Sequence, residues 1–148
     1  MKVAKLILPF VALACLVQTG CKKDELTNTP VIELKSATPA ALQAFSDTLT
    51  FTIFYRDGDG DLGENSADVY NLFLTDNRNG IAYKYRIQQL APQGSAIAIQ
   101  GNLDVKLPSV PILDNANSSE TATFSIYIVD RAGNKSNTVT SGNITISQ

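Results

Sequence analysis

Residues 48–55 read Thr48-Leu49-Thr50-Phe51-Thr52-Ile53-Phe54-Tyr55. Leucine, phenylalanine, isoleucine and tyrosine alternate in this stretch with threonine and one further phenylalanine. β-Branched and aromatic residues that repeat with a period of two are typical of a strand with one apolar and one more polar face. The stretch therefore predicts a β-strand that packs one face against a core.

The same alternation recurs on both sides of this stretch. It predicts further strands at 31–35, 69–75, 81–87, 95–100, 103–107, 121–129 and 138–147. Asn79-Gly80 and Gly101-Asn102 predict hairpin turns between neighbouring strands. Helical spacing is missing from the pattern, apart from one turn near 39–45.

Seven or eight strands with turn signals at fairly regular intervals predict an all-β fold. The expected architecture is an antiparallel β-sandwich of the immunoglobulin or fibronectin kind. The chain contains no Trp, so it lacks the Cys–Trp–Cys core of antibody domains. The prediction is therefore a member of the broader sandwich architecture.

The first twenty residues form a segment of a different kind. Two lysines precede an apolar run at 6–17, small residues follow it, and Cys21 comes next. This order is typical of a bacterial lipoprotein signal peptide. The run is shorter than the about 20 apolar residues that a spanning helix needs. We therefore predict removal of residues 1–20 and lipidation of Cys21, with acyl chains holding the protein to a membrane.

Two alternatives to this interpretation remain open. The segment is also compatible with an ordinary secretory signal that has a chance Cys near its cleavage site. Cys15 follows Ala-Leu-Ala and is a rival lipidation site, although cleavage there would leave a very short apolar core.

The run Gly20-Cys21-Lys22-Lys23-Asp24-Glu25 resembles the start of many lipoproteins of Bacteroidota-type bacteria. In that group, charged residues just after the lipidated Cys resemble a signal for export to the cell surface. The usual lipobox has an aliphatic residue three places before Cys, where this chain has Gln18. The resemblance implies an outer-membrane lipoprotein at the cell surface, with the periplasmic face as the alternative.

The remaining chain suits one domain. We expect residues 21–30 to comprise the lipidated Cys and a flexible tether. We expect residues 31–148 to form the β-sandwich domain. Residues 1–20 hold two Lys and no acid, so their removal leaves 10 basic and 14 acidic residues, a net charge of −4. There is no basic patch, and we therefore expect no nucleic-acid partner.

The composition also limits the possible chemistry. The chain has no His, and its two Cys are in or directly after the N-terminal segment. A Ser-His-Asp triad, a His-ligated zinc site and a disulfide framework are all excluded on this basis. Catalysis by carboxylate pairs, Lys or Tyr stays open. Because the commonest proton-transferring side chain is absent, we expect a protein that is not an enzyme and that requires no cofactor, with Ca²⁺ as a possible ligand.

One stretch has the residues for an ion site: Tyr55-Arg56-Asp57-Gly58-Asp59-Gly60-Asp61-Leu62-Gly63-Glu64. Ca²⁺ in proteins takes 6–8 oxygen ligands at about 2.3–2.6 Å, and a glycine-rich loop dense in carboxylates can supply them. The candidate ligands are Asp57, Asp59, Asp61, Glu64 and Asp68.

An EF-hand is excluded for this stretch. Leu62 stands where that loop needs Gly, Asp68 stands where it needs Glu, and strands flank it in place of helices. The alternative to an ion site is a plain solvated loop, because Asp-Gly dipeptides are also turn formers. The stretch resembles a motif of small lipoproteins of the same bacterial group, which implies fold and location but no activity.

The run from 126 to 137 resembles the last hairpin of many bacterial extracellular immunoglobulin-like domains. Gly133-Asn134 predicts a tight turn with positive φ. Asp130 has two possible roles there, either capping local amides or binding an ion.

The leading functional hypothesis is a lipid-anchored, non-enzymatic accessory or binding module that contacts a protein, a glycan or an ion. A second hypothesis is a carbohydrate-binding partner of a nutrient-uptake system, which would need exposed rings at Tyr83, Tyr85 or Tyr127. A third is a carboxylate-based hydrolase that uses the cluster at 57–64. That chemistry needs two acids facing each other across a cleft, about 5–9.5 Å apart.

Overall fold

The computed structural model describes residues 27–148, and these residues contain β-strands and no helix. The ten strands are β1 Val31–Thr38, β2 Ala41–Gln43, β3 Thr48–Asp57, β4 Leu72–Asp76, β5 Ala82–Tyr85, β6 Ile99–Pro108, β7 Ser119–Ala122, β8 Phe124–Ile128, β9 Val139–Thr140 and β10 Ile144–Ser147. The all-β prediction is confirmed, although ten strands exceed the expected seven or eight. The segment 1–20 and Cys21 lie outside the described residues. Across residues 27–148, no helix has the length and apolar character needed to cross a membrane.

The strands form three sheets, with the orders β1-β3-β6, β2-β10-β7 and β5-β4-β8-β9. β3 is the centre of the first sheet, and β1 and β6 pair with it along nearly its full length. Every pair is antiparallel except β2 with β10, which is parallel and departs from the predicted antiparallel arrangement. The difference arises because the chain leaves the first sheet at Pro39 and adds the three-residue β2 beside β10 in the same direction.

The sheets pack on one apolar core. Along β3 every second side chain is buried, and Leu49, Phe51 and Ile53 have no exposed surface. The ring of Phe51 meets the ring of Phe124 in β8 edge to face, with centroids 5.4 Å apart, and so joins the first sheet to the third. Ile144 and Ile146 of the second sheet join the same cluster. The sandwich-like character that the alternation predicted is confirmed.

The predicted hairpin at Gly101-Asn102 is wrong. β6 runs without a break through both residues, and Gly101 lies opposite Tyr55 of β3. A Cβ atom at Gly101 would lie 3.0 Å from Tyr55 Oη. Glycine is present because the tyrosine ring crosses the strand at this point, which is a common reason for glycine inside a strand.

Two long alternating stretches are each divided between strands of different sheets. The stretch 121–129 forms β7 and β8, and the chain changes sheet at Thr123. The stretch 138–147 forms β9 and β10 around the residues 141–143. Ser141 binds both backbone groups of Phe124, since its N–H donates to Phe124 O at 2.8 Å and its Oγ accepts from Phe124 N at 2.9 Å. Periodicity of side chains does not reveal such a change of sheet.

The β4–β5 hairpin has the predicted Asn79-Gly80 turn, with Gly80 at φ 75°, but its strands are shorter than expected. β4 begins at Leu72, and the side chain of Asn71 forms the next hydrogen bonds to the segment that follows β5. Asn71 Oδ1 accepts from Ile87 N at 2.6 Å, and Nδ2 donates to Ile87 O at 3.1 Å. An amide side chain thus replaces the strand ladder beyond Tyr85.

A buried ionic network closes the end of the sandwich at this hairpin. Asp76 has no exposed surface, and Arg78 Nη2 lies 2.6 Å from its Oδ2. Arg78 Nη1 lies 2.8 Å from Glu120 Oε2, and Nη2 also donates to the carbonyl oxygen of Pro111. The backbone amides of Asp114 and Leu113 donate to Glu120 and lower the pKa of its carboxyl. The network thereby fixes the loop between β6 and β7.

Candidate cation site

The acidic loop, defined here as Asp57–Gly63, begins inside the sandwich. In β3 the inward-facing positions after Ile53 are Tyr55 and then Asp57, so the alternation that buries the core also buries a carboxylate. Asp57 has no exposed surface. Its Oδ2 accepts a hydrogen bond of 2.9 Å from the backbone amide of Leu62, which folds the loop back over the strand end.

The three aspartates of the loop lie together. One carboxylate oxygen from each of Asp57, Asp59 and Asp61 falls within 4.8 Å of the others. The three Oδ1 atoms are buried and have no hydrogen-bond partner among the described residues. Buried polar atoms in native proteins are nearly always paired, so three acceptors at one place that lack a protein donor make this cluster a candidate cation site.

The electrostatics of the loop favour the same interpretation. Burial raises the pKa of Asp57 to about 6 against the amide hydrogen bond from Leu62, and the charges of Asp59, Asp61 and Asp130 raise it further. Burial also raises the pKa of Asp61, as do the charges of Asp130 and Asp59. A cation between the carboxylates would offset both the cost of burying their charge and the repulsion between them.

Two glycines let the acidic loop approach the segment 88–97. Gly60 has φ +73°, and a Cβ atom there would lie 2.2 Å from the carbonyl oxygen of Ile97. Gly63 has φ +92°, and its Cβ atom would lie 2.2 Å from the carbonyl oxygen of Gln88. Both positions therefore need glycine for the backbone angle and for the close contact. These close contacts define the shape of the acidic loop against the segment 88–97.

The turn after β8 packs against the other side of the acidic loop. Asp61 Oδ2 accepts from Ala132 N at 3.0 Å, Asp61 O accepts from Arg131 N at 3.3 Å, and Arg131 Nη1 donates to Gly63 O at 2.8 Å. Asp130 accepts from the backbone and side-chain nitrogens of Asn134, so its predicted capping role is confirmed. Gly133 has the predicted positive φ of 88°.

The other two candidate ligands lie apart from this cluster. Glu64 Oε1 accepts from the backbone amides of Asn65 at 2.7 Å and Ser66 at 3.1 Å, and these amides lower the pKa of its carboxyl. Asp68 is exposed on the following turn. The structure therefore brings together Asp57, Asp59 and Asp61, with Asp130 near enough to act on their charges.

Sequence reasoning missed the residues that support the loop. Arg131 and Ala132 are far from it in sequence, and no local pattern links the two segments. The sequence does contain one indication that Asp57 is buried. Every second residue from Leu49 onward faces the core, and Asp57 belongs to that series. The alternative of a fully solvated loop does not describe this residue, which is completely buried.

Comparison with protein-family models, curated proteins and solved structures finds no match to this chain.

Proposed function

We propose that the protein is a lipid-anchored, non-catalytic binding or accessory module of the outer membrane, whose fold is completed by a bound Ca²⁺ ion. The observation that carries the ion part is the set of three buried, unpartnered Oδ1 atoms of Asp57, Asp59 and Asp61. The anchor part rests on Cys21 and the sequence before it. The resemblance to Bacteroidota-type lipoproteins favours the cell surface.

The dimensions of the cluster suit calcium. Oxygen ligands at about 2.3–2.6 Å from one Ca²⁺ ion can be at most about 5 Å apart. The three carboxylate oxygens lie within 4.8 Å of each other, so all three can contact one ion. Three carboxylates around a divalent cation are common in Ca²⁺ sites. Backbone oxygens or water supply the remaining ligands there.

The same geometry disfavours a carboxylate-based hydrolase. Such an enzyme holds two acids on opposite sides of a substrate-sized cleft. Here the carboxylates converge on one small enclosed space, and Asp57 is completely buried. A substrate has no access to Asp57 Oδ1, whereas a dehydrated ion fits between the three oxygens.

The tyrosines named for a carbohydrate platform are engaged in packing. Tyr83 and Tyr85 are partly buried against the core, and Tyr85 Oη donates to the carbonyl oxygen of Lys106 at 3.0 Å. Tyr127 stacks on Phe73 with centroids 4.8 Å apart, and Lys135 Nζ lies 3.8 Å from its ring centroid. Both faces of the Tyr127 ring are thus occupied, which favours a contact surface other than a row of exposed rings.

Thermal unfolding of the chain that begins at residue 21 tests the ion. Ca²⁺ at 100 times its Kd should add about 2.7 kcal/mol to the free energy of unfolding, and excess chelator should remove this gain. Asp59→Asn should abolish the shift, because it removes one ligand charge. The matched control is Asp68→Asn, which changes an exposed acid outside the cluster and should keep the full shift. Equal melting temperatures with Ca²⁺ and with chelator would refute the ion site.

Fractionation of cells tests the anchor. The unaltered protein should sediment with the outer membrane, and the Cys21→Ser variant should appear in the soluble fraction because it cannot be acylated. Retention of the variant in the membrane would show that another part of the chain is the tether. Protease treatment of intact cells then distinguishes the cell surface from the periplasmic face.

A further inference from the structure

The chain enters the domain beside the acidic loop. Gly58 N donates to the carbonyl oxygen of Thr27 at 2.9 Å, and Val31 at the start of β1 pairs with Arg56. Thr27 is six residues after Cys21 in the sequence. Six residues span at most about 20 Å even when fully extended, so the anchor point lies within that distance of the loop.

This reach limits which part of the domain can meet the membrane. The ten residues of β3 separate the acidic end, where Asp57 lies, from the opposite end at Thr48. At about 3.3 Å per residue the two ends are about 30 Å apart. A tether of at most about 20 Å cannot hold the acidic end upward while the opposite end touches the membrane. Contact with the lipid therefore falls to the acidic end or to the sides of the sandwich.

Apolar side chains are exposed at both ends of the sandwich, including Phe45 and Ile81 at the opposite end, so the reach of the tether and not exposure selects those near the acidic loop. Tyr70 is 53% exposed and Ile97 is 51% exposed. Val69 and Leu90 are also exposed, and the backbone of Leu90 is joined to the acidic loop through Leu62 O. Val69 and Tyr70 precede β4 at the same end, where Leu72 pairs with Ile128 just before Asp130. We call these four residues the apolar rim.

We infer that the apolar rim rests on the lipid leaflet that holds the acyl chains of Cys21. This inference relies on the proposed lipid anchor. The tether keeps the rim at a high effective concentration at the interface, so a small apolar contact suffices to orient the domain. Tyr70 combines an apolar ring with a polar hydroxyl, and such rings favour the level of the lipid headgroups. The opposite end then points away from the membrane and is free for partners.

Fluorescence in vesicles tests this orientation. The chain that begins at residue 21 has Cys21 as its single Cys, and it has no Trp. Cys21 is coupled to a maleimide-headgroup lipid in phosphatidylcholine vesicles, with excess Ca²⁺ present. A single Trp is introduced by Tyr70→Trp or by Ile81→Trp. The two positions are matched because Tyr70 and Ile81 are each 53% exposed. Tyr70 precedes the start of β4, whereas Ile81 accepts a backbone hydrogen bond from Asp76 at the other end of β4.

Brominated phosphatidylcholine should quench the Trp at position 70 and leave the emission at position 81 unchanged. Equal quenching at both positions, stronger quenching at position 81, or quenching at neither would overturn the inference. Ile97→Trp provides a second reporter on the rim and should behave like Tyr70→Trp. The attachment here is chemical, so the result does not depend on whether cells acylate Cys21, which the fractionation experiment tests separately.

Discussion

Asp57 Oδ2 accepts a hydrogen bond of 2.9 Å from the backbone amide of Leu62, while Oδ1 of the same buried carboxylate has no hydrogen-bond partner within residues 27–148. One oxygen thus fixes the loop, and the other is left for a ligand. Because Asp57 continues the buried face of β3, the ligand position is tied directly to the core. The proposed ion would therefore be coupled to the stability of the whole domain.

Asp57→Asn should change stability in opposite directions with and without Ca²⁺. In chelator the folded-state pKa of Asp57 is about 6, above its ordinary value of 3.8. The folded protein therefore binds this proton more tightly, and Asp57 lowers the free energy of unfolding as the pH rises from about 4 to 6. Between these pH values the free energy of unfolding of Asp57→Asn should rise by on the order of 1 to 3 kcal/mol relative to that of the unaltered protein.

With saturating Ca²⁺ at pH 7 the order should reverse, because the variant lacks one ligand charge. Denaturant unfolding at several pH values, with chelator or with Ca²⁺, measures both differences. An Asp57→Asn variant that is less stable in chelator at every pH would contradict the proposed cost of a buried, charged Asp57.

Gly60→Ala should impair the site more than the backbone angle alone explains. Gly60 and Gly80 have nearly the same φ, +73° and +75°, but only Gly60 faces a backbone oxygen at 2.2 Å from the added Cβ atom. Gly80→Ala should cost about 1 to 2 kcal/mol for the left-handed conformation. Gly60→Ala should cost about 1 to 3 kcal/mol more, since the loop must move away from Ile97.

The loop movement should also weaken Ca²⁺ binding in Gly60→Ala and leave it intact in Gly80→Ala. Chemical unfolding and calcium titration of both variants provide the comparison. Equal losses of stability and unchanged Ca²⁺ affinity in the two variants would show that the contact with Ile97 is unimportant.

Asn71→Ala should destabilise the domain by about 1 to 3 kcal/mol, because it leaves the buried N–H of Ile87 without a partner. The carbonyl oxygen of Ile87 loses one of its two hydrogen bonds and keeps the one from the backbone amide of Glu64. The side-chain amide of Asn71 accepts a hydrogen bond of 2.6 Å from Ile87 N and donates one of 3.1 Å to Ile87 O. The exposed Asn143 is a suitable control, and Asn143→Ala should change the free energy of unfolding by less than about 0.5 kcal/mol. Urea unfolding measures both values, and a similar small effect for Asn71→Ala would disprove its structural role.

Arg78→Met should cost about 3 to 5 kcal/mol, because it leaves the fully buried Asp76 without its cation. Arg56 forms a comparable pair with Glu33 at 3.4 Å, but the two side chains are 34% and 47% exposed. Arg56→Met should therefore change stability by only about 0 to 1 kcal/mol. Thermal or urea unfolding of both variants measures the two losses of stability. Similar losses in Arg78→Met and Arg56→Met would contradict the prediction.

The sequence was sufficient for the fold class because alternation of apolar residues reports directly on burial. It identified β1, β3 and the Asn79-Gly80 hairpin for this reason. The pattern could not show that the chain changes sheet at Thr123, since side chains on both sides of Thr123 remain alternately buried. The turn predicted at Gly101 is wrong because the sequence does not distinguish a glycine that makes room for a tyrosine ring from a glycine in a turn.

The candidate site was partly predictable. The spacing of Asp57, Asp59 and Asp61 on a glycine-rich loop was sufficient to nominate them. Glu64 and Asp68 were nominated by proximity in sequence, but the structure turns both away from the cluster. The contact with Ala132 depends on tertiary packing between segments about 70 residues apart, which local patterns do not encode.

Equilibrium dialysis with radioactive calcium measures the proposed binding of Ca²⁺ itself. The chain that begins at residue 21 is first treated with chelator and then dialysed against free Ca²⁺ up to about 10 mM, above the range of weak extracellular sites. We expect one bound ion per chain. It should be lost in the triple variant Asp57→Asn, Asp59→Asn, Asp61→Asn and retained in Asp68→Asn. Binding of no calcium, or of the same amount by the triple variant, would contradict the proposed Ca²⁺ site.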